Sequence, residues 1–197
     1  MALDSMQEIF EKAAAGQIPF WQVVLETDME QRQVTAEQSM EKMRVTWQAM
    51  LESVTAYQGT ERSRSGLVGG DGEKMRQYVE SGKGLCGAYL REVVATALSV
   101  GESNACMRKI VAAPTAGACG VLPAVLVPLF QAGMVSEEQI LQALYTASGI
   151  GAVIGYRACI AGAAGGCQAE IGTASAMAAG ALASIQGGSA AQIGHAV

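Results

Sequence analysis

Three short stretches of this sequence combine chemically useful side chains with glycines that leave room for a ligand. The first is Ser63-Arg-Ser-Gly-Leu-Val-Gly-Gly-Asp71. Two hydroxyls, a guanidinium and glycine-freed N–H groups suit an anion there, with Ser63, Arg64 and Ser65 as the donors. It is not a Walker A loop, because neither Gly66 nor Gly70 leads into the required lysine and hydroxyl. A plain interhelical turn is the competing reading. The second stretch is Pro114-Thr-Ala-Gly-Ala-Cys-Gly120. Thr115 offers a hydroxyl, and the glycines after it let N–H groups converge on a carboxylate. A buried turn ahead of a core helix is the alternative. The third is Gly165-Gly-Cys-Gln-Ala-Glu170, which sets the Cys167 thiol between two glycines and two polar residues. Most lone buried cysteines are small hydrophobes. A thiolate in this setting could instead ligate a metal cluster, although one thiolate does not hold a cluster. His195 is the only histidine and reads as a surface residue.

The rest of the composition bounds what these stretches serve. A net charge of -5 and a pI near 4.9 leave lysine and arginine scattered singly, so no basic face for nucleic acid is expected. Cys86, Cys106, Cys119, Cys159 and Cys167 are odd in number and form no CxxC pair or zinc spacing. The first residues, Met1-Ala-Leu-Asp-Ser-Met6, carry neither a basic nor an apolar leader region. Reduced thiols in the cytoplasm are therefore the expectation.

The elements that must position these residues are helical. Ser5-Met-Gln-Glu8, Thr35-Ala-Glu-Gln38 and Ser136-Glu-Glu-Gln139 each match a capping box. Met40, Met43, Trp47, Met50, Leu51 and Val54 follow as one apolar stripe; Ile140, Leu141, Leu144 and Tyr145 begin another. Gly16 and Gly101 stand where helices would stop. Pro19 suits the first turn of a helix through Trp21, Val24 and Leu25. Asp71 is expected to cap a helix over about 72–81, ended by Gly82. A helix over about 87–100 would bury Leu90, Val93, Val94, Ala97 and Leu98. Strand patterns are scarce, so the fold class is all-α. One helical domain is expected over 1–197, with N-terminal helices over 1–60 and a core carrying the functional loops over 61–197. Charge supports this, because only Glu137, Glu138, Arg157 and Glu170 are charged from Ile110 onward. The Ile110–Ala183 region should thus lie at the centre. The three glycine-rich stretches are expected to be loops.

Taken in order, the three stretches resemble the α chain of the iron–sulfur-dependent L-serine dehydratases. Gly162-Ala-Ala-Gly-Gly-Cys-Gln-Ala-Glu-Ile-Gly172, the continuation Thr173-Ala-Ser-Ala-Met-Ala-Ala-Gly180, and Gly187-Gly188 extend the likeness over essentially the whole chain. The resemblance implies a [4Fe–4S] cluster held by three cysteines, with one iron open to substrate. Cys167 matches the first ligand. The other two would lie in later segments resembling L-x-C-D-P-V-A-G and P-C, beyond Val197, so the chain as given is expected neither to hold the cluster nor to dehydrate serine alone. The other four cysteines match no ligand position. The resemblance further implies deamination of L-serine to pyruvate and ammonia, a lyase reaction of amino-acid degradation and gluconeogenesis, with the cluster as Lewis acid. Ser63, Arg64, Ser65 and Thr115 would line the carboxylate pocket. It also implies a separate β subunit and room for homo- or hetero-oligomers. Two alternatives stand beside it. A cysteine desulfidase of the same superfamily would share the loops and cluster. A membrane or purely structural helical protein would explain the uncharged runs Ile110–Ser136 and Ile171–Val197, but Pro114, Pro123 and Pro128 interrupt the first.

Overall fold

Helix starts in this chain are written in hydroxyl–glutamine pairs. The Ser136 hydroxyl accepts the Gln139 N–H at 3.2 Å, while Gln139 accepts the Ser136 N–H at 2.9 Å. Thr35 and Gln38 do the same, as expected. At the first helix the box is displaced. Ser5 accepts the Glu8 N–H, but the Glu8 carboxylate reaches the N–H of Asp4 instead. A further box, Ser189 with Gln192, starts the last helix; its signature stands in the sequence and was not among the expected starts.

The computed structural model describes residues 3–197. Among them all regular structure is helical, which bears out the all-α expectation. The helices are α1 (Met6–Gly16), α2 (Phe20–Arg32), α3 (Ala36–Thr55), α4 (Asp71–Glu80) and α5 (Ala88–Ala105), then α6 (Val121–Gln131), α7 (Glu137–Arg157), α8 (Gly162–Gly165), α9 (Cys167–Ile185) and α10 (Ala190–Ala196). A single 3-10 turn, Ala116–Ala118, precedes α6. No helix among the described residues is long and apolar enough to cross a membrane.

The helices gather into two compact units. One is discontinuous, Met1–Trp47 with Val135–Val197; the other, Gln48–Met134, is inserted between its halves. In the discontinuous unit α7 packs against α9 and α2, and α10 lies on α9 and α1. Small residues permit this. Ala174, Ala178 and Ala181 are buried on α9, and a Cβ at Gly180 would collide with the Ile150 side chain of α7. In the inserted unit α5 packs between α4 and α6, and α6 buries Leu122, Leu126 and Val127.

Several local expectations need correction. Gly101 does not stop a helix, because α5 continues to Ala105. The α1 helix runs through Gly16 and ends on Gln17, the residue that takes the left-handed conformation. Pro19 is the cap of α2 rather than part of its first turn. Asp71 is the first residue of α4, and Gly70, with φ of 83°, takes the cap. The α5 face is also turned. Leu90, Val94 and Leu98 are exposed, while Ala95, Thr96, Ser99, Val100, Glu102 and Ser103 are buried. The reason is close approach: a Cβ at Gly72 would lie 2.8 Å from the Ser99 hydroxyl, and one at Gly120 3.0 Å from the Ala97 carbonyl. The small side of α5 seats against its neighbours, so its larger residues point outward. Finally, the third glycine-rich stretch is largely helical. It forms the single turn α8 and the start of α9, with Gly166 at φ 81° between them.

Candidate functional site

The first stretch closes on itself before leading into α4. The Ser63 N–H donates to the Val68 carbonyl at 2.8 Å and the Gly66 N–H to the Ser63 carbonyl at 2.8 Å. The hydroxyl oxygens of Ser63 and Ser65 lie 3.1 Å apart, and they accept the N–H groups of Val68 and Leu67. One hydroxyl proton is consumed between the two serines, which leaves the other free to donate. Arg64 projects from this turn, exposed and with no ion pair among the described residues.

A buried glutamate and a half-buried tyrosine anchor the end of that turn. Glu102 of α5 accepts the Asp71 N–H at 2.6 Å and the Tyr57 hydroxyl. The Tyr57 oxygen in turn accepts the Glu73 N–H at 3.1 Å. Two of the N–H groups that open α4 are thus satisfied from a distance, where a local cap would ordinarily serve. Burial and the hydrogen bond to Glu102 push the Tyr57 phenol up to about 12. The Arg76 guanidinium stands 5.5 Å over its ring. The Lys74 ammonium, hydrogen-bonded to Asp71, holds that carboxyl below its usual range. The start of the turn is fixed by Arg108, which donates to Glu61 through Nε at 2.9 Å. Sequence reasoning missed Glu102 and Tyr57. A glutamate inside the apolar period of α5 was the available signal.

The second stretch is tied to the same end of α5. Asn104 donates to the Ala116 carbonyl at 3.0 Å, and Thr115 precedes the 3-10 turn. The Thr115 hydroxyl oxygen is buried and has no hydrogen-bond partner. Cys119 is buried, which pushes its thiol up and makes it inert. Ser63, Arg64, Ser65 and Thr115 therefore share one unit and one anchoring helix end.

Cys167 belongs to the discontinuous unit. It is exposed, and it is the first residue of α9. A Cβ at Gly166 would meet nothing within 4 Å, so there is open space on the approach to the thiol. That exposure and space fit a cluster ligand. No group of three His, Cys, Asp or Glu among the described residues is placed to hold a metal ion, so Cys167 is a single donor.

Comparison with known proteins gives this geometry a family. The model of the serine dehydratase alpha chain matches residues 15–197. The chain belongs to that family. A probable L-serine dehydratase alpha chain from Bacillus subtilis is 36% identical over 193 residues, which is 98% of this chain and 64% of the relative. The L-serine dehydratase alpha chain of Peptoniphilus asaccharolyticus is 37% identical over 195 residues, covering 98% of this chain and 67% of that one. L-serine dehydratase TdcG of Escherichia coli is 46% identical over 98 residues, 49% of this chain and 22% of its own length. The chain thus spans about two thirds of the two alpha-chain relatives and a smaller part of the longer one. Within the serine dehydratase alpha chain family, the match takes in all three glycine-rich stretches.

Proposed function

We propose that this chain is the alpha-chain part of an L-serine dehydratase, a lyase that converts L-serine to pyruvate and ammonia. The observation that carries the reading is the pairing of the alpha-chain likeness with a buried, unpartnered hydroxyl at Thr115. A buried polar atom without a partner costs about 1–3 kcal/mol, and a bound carboxylate would relieve it. Arg64 would supply the charge-assisted hydrogen bond to that carboxylate, and the free hydroxyl proton of Ser63 or Ser65 a second donor. Cys167 would be one thiolate ligand of a [4Fe–4S] cluster. When bound, the cluster supplies an open iron as a Lewis acid toward the serine hydroxyl.

The overall reaction balances without an external oxidant. Serine loses its Cα proton and its hydroxyl as water, giving aminoacrylate. Tautomerisation gives the imine, and one water returns to release ammonia and pyruvate. This chain's part is to bind and orient the carboxylate, so that the Cα–H and the leaving hydroxyl are held in a fixed relation. A separate beta subunit is the proposed partner, following the alpha-chain naming of the relatives. Five free cysteines suit a reducing compartment such as the cytoplasm.

The test is anaerobic assay of the full-length protein with its partner for pyruvate from serine, against threonine and cysteine. Serine-dependent pyruvate with a broad visible absorption is expected, and Cys167→Ser should abolish both while leaving the helical circular dichroism intact. Undiminished activity in Cys167→Ser would remove it from the ligand set. Preferred release of sulfide from cysteine would reassign the enzyme as a desulfidase.

A further inference from the structure

A cavity of about 590 Å³ opens between α2, α3 and α7, wholly within the discontinuous unit. Its volume falls in the range of small-molecule sites. Val24, Met43, Gly149 and Ala152 give it an apolar wall. At the polar side three helices meet in one hydrogen-bond chain. Ser39 of α3 lies 2.5 Å from the Asp28 carboxylate of α2 and 2.6 Å from the Tyr145 hydroxyl of α7. A carboxylate only accepts, so Ser39 donates to Asp28 and Tyr145 donates to Ser39. Burial pushes the Tyr145 phenol up, which keeps it protonated and in that role.

The charge in the cavity follows from this chain. Asp28 is compensated by Arg32, whose Nη1 stands 2.8 Å from it. Lys42 also lines the cavity, and it has no ion pair among the described residues. Lys42 is exposed, so one positive charge without an ion-pair partner borders a pocket whose remaining surface is mostly apolar. We propose that this cavity binds a monocarboxylate with an unbranched apolar body, its carboxylate held by Lys42 and its chain laid against Val24, Met43 and Ala152. A dianion would leave a second charge unmatched, and a cation would face Lys42 directly. Nothing in this site depends on serine chemistry at the glycine-rich loops.

The experiment uses the full-length protein labelled with 13C in its methionine methyl groups, with the Met43 signal identified through Met43→Leu. Octanoate is the anionic probe and 1-octanol its neutral counterpart. Octanoate should shift the Met43 methyl and bind about tenfold more tightly than octanol, the scale of one charge-assisted contact. Lys42→Gln, a surface change that spares the fold, should erase the difference by weakening octanoate alone. Ala152→Trp should fill the cavity and abolish both shifts. If Met43 does not respond to octanoate, the cavity is no such site. Equal binding of the two probes, or indifference to Lys42→Gln, would overturn the assignment of the carboxylate to Lys42.

Discussion

Arg64 holds its charge in the open beside two serines whose acceptor oxygens are already occupied by backbone N–H groups. One of their two hydroxyl protons is spent between them, so the guanidinium is the principal donor proposed for an anion at this turn. In the full enzyme, Arg64→Ala should raise the KM for serine roughly tenfold, with a smaller effect on kcat; steady-state kinetics read the split. Tyr57 gives a second expectation. Its phenol is raised to about 12 in the folded protein, against an ordinary value near 10. The folded state therefore binds the proton more tightly than the unfolded chain between those values. The stability contributed by Tyr57 is complete below pH ~10 and is lost as pH rises toward ~12. Denaturant unfolding across that window should show the decline, and Tyr57→Phe should flatten it. At this scale the sequence was informative where chemistry is local. Ser63, Arg64, Ser65, Thr115 and Cys167 are conspicuous through their glycine neighbours. Glu102 and Tyr57 were not, because their role exists only once residues far apart in sequence are brought within hydrogen-bond distance.

Among the elements, α4 shows how a helix can be started by another helix. Its cap, Gly70, offers no side chain, so Glu102 and Tyr57 do the work. The turn before it depends on Gly69, whose φ is 138° and whose added Cβ would collide with the Glu61 carbonyl. Gly69→Ala should therefore destabilise the inserted unit by about 1–3 kcal/mol and raise hydrogen exchange at Ser63–Asp71. Native exchange in that variant would show the turn to be tolerant. Helix existence was legible in the sequence through the Thr35 and Ser136 boxes. The buried face of α5 was not. Periodicity put Leu90, Val94 and Leu98 inside, but small residues at Gly72 and Gly120 invite the opposite face to close contact. The third stretch misled for a related reason: its glycines were read as loop residues, whereas alanine and glycine there continue as helix.

For the molecule as a whole, the charge-poor stretch after Arg108 supplies buried residues to α6, α7 and α9, among them Leu126, Ile140, Ile150 and Ala174. Ile150 is where α7 meets Gly180 of α9. Ile150→Ala should cost about 2–5 kcal/mol of stability, measurable as a lowered thermal midpoint. What no local pattern announced was that the chain leaves one unit at Trp47 and rejoins it at Val135. That path has a consequence during synthesis. The α2 helix finds a partner in α7, yet all of Gln48–Met134 must leave the ribosome first. At about 5–20 residues per second, the nascent chain waits roughly 4–17 seconds with Phe20 and Val24, which pack on Gly149 of α7, uncovered. Over that interval the apolar face of α2 is open to whatever chaperone stands at the exit tunnel.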